Sequence, residues 1–183
     1  MHLIFGADPG LDGGLAFWAA PSEGHGAVVQ AAAMMAMPAL SGKTKRELDA
    51  VRVHDWTSTV LDLYAAELSP TEYAGNVLVV VESVHSMPKQ GIVGAFTFGE
   101  GFGALKAVFR ILQVPMITVL PTRWKKLVLA GTQKDKNAAV AHVKSLYPGV
   151  SLQATERSRK DHDGMADALC LMEYGKLIHG ANA

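Results

Sequence analysis

Between Asn76 and Glu82 the chain reads Asn-Val-Leu-Val-Val-Val-Glu, a continuous β-branched run with no polar alternation. Such a run is a strand covered on both faces, so the rest of the chain must supply helices to both sides of a sheet. Residues 115–120, Pro-Met-Ile-Thr-Val-Leu, read as a second buried strand. Around them the periodicity is helical. Val53, Trp56, Val60, Leu63, Tyr64 and Leu68 recur at spacings of three and four over residues 49–69, and Pro70 stops the pattern. Residues 85–101 are rich in Gly, with Phe96 and Phe98, and show no clear period before a helix emerges near 101–113. Further helices are predicted from Pro121, over 134–147, and over 163–179 after a polar, partly basic loop at 153–162.

The N-terminal part is different. Residues 2–7 form a short apolar strand ending at Asp8, where Pro9 and Gly10 reverse the backbone. Gly13 and Gly14 lead into a second strand at 14–19, and the Ala-rich stretch 26–35 makes a third. Residues 37–47 read as a polar connection, in which Lys43, Lys45 and Arg46 are either a solvated basic loop or phosphate contacts. The order predicts an α/β fold: a mixed five-stranded sheet, its first three strands an antiparallel meander, flanked by helices. With 183 residues and no repeat, low-complexity tract or linker, one domain spanning 1–183 is expected.

Composition excludes several classes. With 49% apolar and 19% charged residues the chain is a packed globular protein rather than a disordered one. The lone Cys170, set among Ala168, Leu169 and Leu171, excludes an intramolecular disulfide framework and reads as a small core residue in a reducing compartment. No basic region precedes an apolar stretch at the N-terminus, and no window holds eighteen uncharged apolar residues, so a soluble cytoplasmic protein with no membrane partner is expected. Lys plus Arg and Asp plus Glu balance at 17 each, so any argument for a polyanionic partner rests on local clusters.

The acids carry the chemistry. Asp163 and Asp167 stand four residues apart at the start of the last helix and share a face with Cys170 and Tyr174. Met165, Leu169, Leu171 and Met172 make most of the remaining circumference apolar, so this helix is largely buried. Two like charges there repel unless a cation neutralises them. Helix capping accounts for Asp163 alone but not for Asp167, a turn further in. If the strands ending at Asp8 and Glu82 are parallel neighbours, their acids emerge at one edge, which the last helix has only to cross. Oxygen-only donors suit Mg²⁺ or Mn²⁺ rather than zinc. Four carboxylates can hold two such ions ~3.5–4 Å apart, the arrangement that activates a water and stabilises the leaving oxygen in phosphodiester cleavage.

Asp8-Pro9-Gly10 with its Gly-rich turn, the strand acid of Val79-Val80-Val81-Glu82, and the terminal stretch from Asp163 to Asp167 resemble the RuvC-type Holliday junction resolvases of the ribonuclease H-like superfamily. Residues 99–105 and the basic stretch 121–136 are similar to further segments of that family, so the resemblance covers most of the chain. It implies a nuclease acting on branched DNA, above all four-way junctions, as a homodimer making paired symmetric nicks. It also implies that Asp8, Glu82, Asp163 and Asp167 bind two Mg²⁺ or Mn²⁺ ions and that Lys125 and Lys136 touch DNA phosphate. The chain departs from the family pattern in three places. The last two acids are four rather than three residues apart, which leaves His162 and Asp161 as alternatives to Asp163. The loop after Glu82 differs, and the chain is neutral, as in a divergent, phage-type branch.

Lys125, Lys126 and Arg123 beside Trp124, then Lys134 and Lys136, with Arg157, Arg159 and Lys160 before the last helix, form either a phosphate-binding rim or ordinary exposed faces with Trp124 as core anchor. Phe96, Phe98 and Phe102 either stack on unpaired bases or fasten the Gly-rich segment to the core. His85 and His162 are either proton shuttles or capping and surface residues. Other readings of the acids are a ribonuclease acting on RNA or RNA–DNA hybrid, an actin-like nucleotide-phosphate site, and a non-catalytic DNA-binding module.

Overall fold

Alternation along the first strand, β1 (His2–Asp8), sends Leu3, Phe5 and Ala7 to one face of the sheet and Ile4 to the other. This computed structural model describes residues 2–20, 31–42, 46–84, 91–132 and 137–179. β2 (Gly14–Ala20) runs antiparallel to β1, and β3 (Ala31–Ala36) antiparallel to β2, as the meander requires; residues 26–30 of the expected third strand lie outside the described residues. The connection at 37–47 is not wholly irregular. It holds a small two-stranded sheet of β4 (Ala39–Ser41) and β5 (Arg46–Leu48), while Lys43 and Lys45 lie outside the described residues.

The next helix, α1 (Ala50–Tyr64), is shorter than its apolar period predicts, and Pro70 starts a helix instead of stopping one. In α2 (Pro70–Asn76) the proline stands in the first turn, where its missing N–H has no helical partner to lose. Ser69 and Glu72 close a capping box, with the Glu72 N–H donating to Ser69 Oγ at 3.4 Å and the Ser69 N–H to Glu72 Oε2 at 2.9 Å. Asn76 therefore ends a helix, and β6 (Val77–Glu82) begins one residue later than the apolar run suggested.

Helix α3 (Ile92–Ile111) starts well before the helix expected near residue 101. Its early turns hold Gly94, Gly99 and Gly101, which interrupt the apolar period without breaking the helix. Among the described residues it is the one helix long and apolar enough, by length and composition, to cross a membrane. Its second half nevertheless buries Leu105, Val108 and Phe109 against the sheet. β7 (Met116–Val119), α4 (Pro121–Val128), α5 (Ala138–Leu146) and α6 (Asp163–Ile178) complete the chain close to their predicted places.

The five strands lie in the order β3-β2-β1-β6-β7, with β6 parallel to both β1 and β7. Ile4, Trp18, Leu78 and Val80 pack towards α4, α5 and α6; Leu3, Phe5, Phe17, Val79 and Val81 pack towards α1 and α3. The predicted mixed sheet with two helical layers is thus the observed one. α6 approaches β1 and β2 at backbone distance. A Cβ on Gly6 would collide with the Ala168 carbonyl oxygen and the Met172 nitrogen, and one on Gly164 would collide with the Asp12 carbonyl oxygen and Gly13. These glycines are needed for close approach rather than for an unusual φ.

Candidate active site

The parallel register pairs Ala7 with Val81, so Asp8 and Glu82 leave the ends of adjacent strands at the same edge of the sheet. Both share the side-chain parity of Ile4 and Val80, which places them on the face covered by α6. α6 begins beside the β1–β2 turn, with His162 as its N-cap accepting from the Met165 N–H through Nδ1 at 3.3 Å. One turn in, Asp167 reaches the same edge. Burial, then the charges of Glu82 and Asp167, push the Asp8 carboxyl up to about 7, against a weak opposing bond from the Gly10 N–H at 3.5 Å. Burial likewise raises Asp167 to about 6, with Glu82 and Asp163 adding to it and Lys125 opposing.

Each of two acids has a partner on α4. The Trp124 indole Nε1 donates to Glu82 Oε1 at 2.8 Å, and Lys125 Nζ stands 4.0 Å from Asp167 Oδ2. Trp124 is fully buried, so its reading as a core anchor holds, yet its one polar atom serves the site. Local sequence gives no sign of that bond, because 42 residues separate donor and acceptor. A second contact absent from the sequence reading is Arg46, which donates to Asp12 Oδ1 at 2.8 Å and to the Leu11 carbonyl at 2.9 Å, fastening β5 to the turn after Asp8.

The remaining acids are arranged differently. Asp163 is exposed at the start of α6, near enough to raise Asp167 by its charge. Asp161 accepts from Lys144 Nζ at 2.7 Å, and His162 is engaged as the helix cap, so both alternatives to Asp163 have structural partners. Asp161 and Asp163 line a cleft of about 640 Å³ with Lys144, Arg159 and Lys160. Arg123 and Lys126 are exposed on α4, flanking Trp124. Lys136, Lys134 and His85 lie outside the described residues. Phe96 is exposed on α3. Phe98 lines a cavity of about 350 Å³ with Pro9, Leu11, Arg46 and Gly94, directly beside the Asp8 turn, while Phe102 packs partly into the core under Lys106.

The donors fit a hard cation: every acid at the edge offers carboxylate oxygen, and the carboxyls of Asp8 and Asp167, raised by burial and then by neighbouring carboxylates, are ones whose ionised form positive charge favours. Among the described residues no three His, Cys, Asp or Glu side chains are close enough to enclose an ion as they stand.

Two solved structures share this arrangement of elements. The chain matches "Thermus thermophilus RuvC structure" with a TM-score of 0.55 at 20% identity, covering 98% of this chain and 96% of that one. It matches "T. thermophilus RuvC in complex with Holliday junction substrate" with a TM-score of 0.54 at 15% identity, covering 100% and 96%. The fold is RuvC-like. No protein-family model matches the chain, and a search of curated proteins finds no match. At these identities the likeness concerns backbone architecture. Within the RuvC-like fold the edge bearing Asp8 and Glu82 is where the ends of parallel strands gather, the place at which open α/β sheets bind their ligands.

Proposed function

We propose that the chain is a single nuclease domain over residues 1–183 that cleaves branched DNA, resolving four-way junctions in recombination and repair. The observation that carries this reading is the convergence of Asp8, Glu82 and Asp167 at one strand edge, with the Asp8 and Asp167 carboxyls raised by burial and by neighbouring carboxylates, on a RuvC-like sheet. Asp8, Glu82 and Asp167 would hold Mg²⁺ or Mn²⁺, two ions per site, with Asp163 as outer ligand. Such ions supply Lewis-acid activation of water and neutralise charge at the leaving oxygen.

The chain's own groups do the rest. Lys125, Lys126 and Arg123 on α4, with Arg159 and Lys160 at the cleft before α6, flank the acids with positive charge and draw in a polyanion that the carboxylates alone would repel. The family resemblance gives Lys136 the same part, a contact to DNA phosphate. Phe98, in the cavity beside the Asp8 turn, and Phe96 offer ring faces to unpaired bases at the branch point. Paired nicks need two sites, and a two-fold dimer supplies them. The exposed Ile92 and Val93 of α3 give that second copy an apolar face to cover.

The test is cleavage of labelled four-way junction, Y-fork, duplex and RNA–DNA hybrid with and without Mg²⁺ or Mn²⁺. Junction cutting that requires metal is expected, with Asp8→Asn retaining junction binding and losing cleavage. Full activity of that variant, or activity in EDTA, would sink the mechanism. Preference for the hybrid would move the substrate to RNA.

A further inference from the structure

Trp124 is fully buried, one of the largest side chains with no exposed surface, and it belongs to the core on the α6 side of the sheet. Its ring position is fixed from two directions. Leu120 and Pro121 open α4 immediately after β7, and the Ser83 N–H donates to the Val119 carbonyl at 2.7 Å, which ties the end of β7 to the residue following Glu82. Val128, one turn beyond Trp124, is buried in the same core. The indole therefore has little freedom, and its single polar atom is spent on Glu82 Oε1 at 2.8 Å. An indole N–H only donates, so it can hold a carboxylate oxygen but cannot compete with that carboxylate for a cation. Lys125, the next residue, lies 4.9 Å from the Trp124 ring centroid and 4.0 Å from Asp167 Oδ2.

On the reading that these acids bind a divalent cation, we infer that Trp124 is a positioning residue: its indole holds Glu82 Oε1 and thereby presents Oε2 of the same carboxylate to the ion. Glu82 has several rotatable bonds and stands among other acids that repel it. Turning away from Asp8 and Asp167 would lessen that repulsion, and a fixed donor opposes the turn. A hydrogen-bond partner anchored in the core removes that choice, as outer partners of metal-binding carboxylates do elsewhere. Binding of the ion then requires less reordering of the glutamate.

Trp124→Phe keeps the aromatic ring and removes the donor. Mn²⁺ binding to the DNA-free protein, followed by calorimetry, is expected to weaken by about 10–100-fold. In a Glu82→Gln background, the same substitution should leave the residual affinity unchanged. A companion measurement needs no change at Trp124. In isotope-labelled protein the Trp124 indole N–H resonance should move on Glu82→Gln and again when Mg²⁺ is added to the wild-type chain, while Trp18 and Trp56 stay in place. Equal Mn²⁺ affinity in Trp124→Phe and wild type, or an indole resonance indifferent to both Glu82→Gln and Mg²⁺, overturns the positioning role alone. A wild-type protein that binds neither metal overturns the cation reading and this inference with it.

Discussion

A methyl group added to Gly6 would collide with the backbone of α6, whereas one added to Gly99 on α3 would meet nothing within 4 Å. Both glycines serve helices that cover the same sheet from opposite sides, and the contrast runs through the molecule. α6 buries most of its circumference and reaches β1 and β2 backbone to backbone. α3 buries Leu105, Val108 and Phe109 in its second half, but leaves Ile92, Val93 and Phe96 at 89%, 80% and 73% exposure in its first. The layer that carries Asp167 leaves no room for a methyl group at Gly6; the layer that carries Phe96 and Phe98 leaves open space around Gly94, Gly99 and Gly101.

The largest effect that separates the layers is steric. Gly6→Ala should destabilise the protein by about 3 kcal/mol or more, because the obstruction is helix backbone rather than a side chain that can turn aside. Urea unfolding measures it, and a loss below 1 kcal/mol would mean that α6 is not seated as described.

A smaller effect comes from the acids on the tight layer. Burial raises Asp8 to about 7 and Asp167 to about 6, above the ~3.9 of an unfolded aspartate. The folded state therefore binds more protons than the unfolded one across that interval. Without divalent metal, stability should fall as pH rises from ~4 to about 7, by on the order of a few kcal/mol, and Asp8→Asn should flatten the slope. Saturating Mg²⁺ should restore stability most at the alkaline end, where the acids are ionised, by about 2.7 kcal/mol at a hundred times its dissociation constant.

The smallest effect lies on the loose layer. Gly99 is exposed in the interior of α3 with open space around it, so Gly99→Ala should stabilise the chain by about 0.5–1 kcal/mol. If it instead weakens self-association seen by analytical ultracentrifugation, the first half of α3 is covered by a second copy and its freedom ends on assembly.

The same contrast explains what could be read in advance. The Val-rich run of β6 and the strand ends at Asp8 and Glu82 announce themselves because burial on both faces leaves a chain no polar positions. α6 is legible for a similar reason, with apolar residues nearly all round and two acids that stand out against them. α3 is hard to read because its glycines answer to no tight packing inside this chain. α2 is misread because Pro70 is taken as a stop when Ser69 and Glu72 make it a start. In the site, the three acids that meet could be named from their strand ends and helix position. The Trp124 and Arg46 contacts could not, since each joins side chains more than thirty residues apart and leaves no local pattern.

Asp8 and Glu82 are made early in synthesis, and α6 follows only after β7, α4 and α5. Until that helix emerges, the face of β1 and β2 holding Ile4 and Trp18 lacks the layer that covers it, and the acid edge lacks Asp167. A ribosome-bound fragment ending before residue 163 carries two of the acids and no means of closing the set. Order of synthesis thus leaves the acid edge, the metal site of the proposed nuclease, incomplete until the last helix seats.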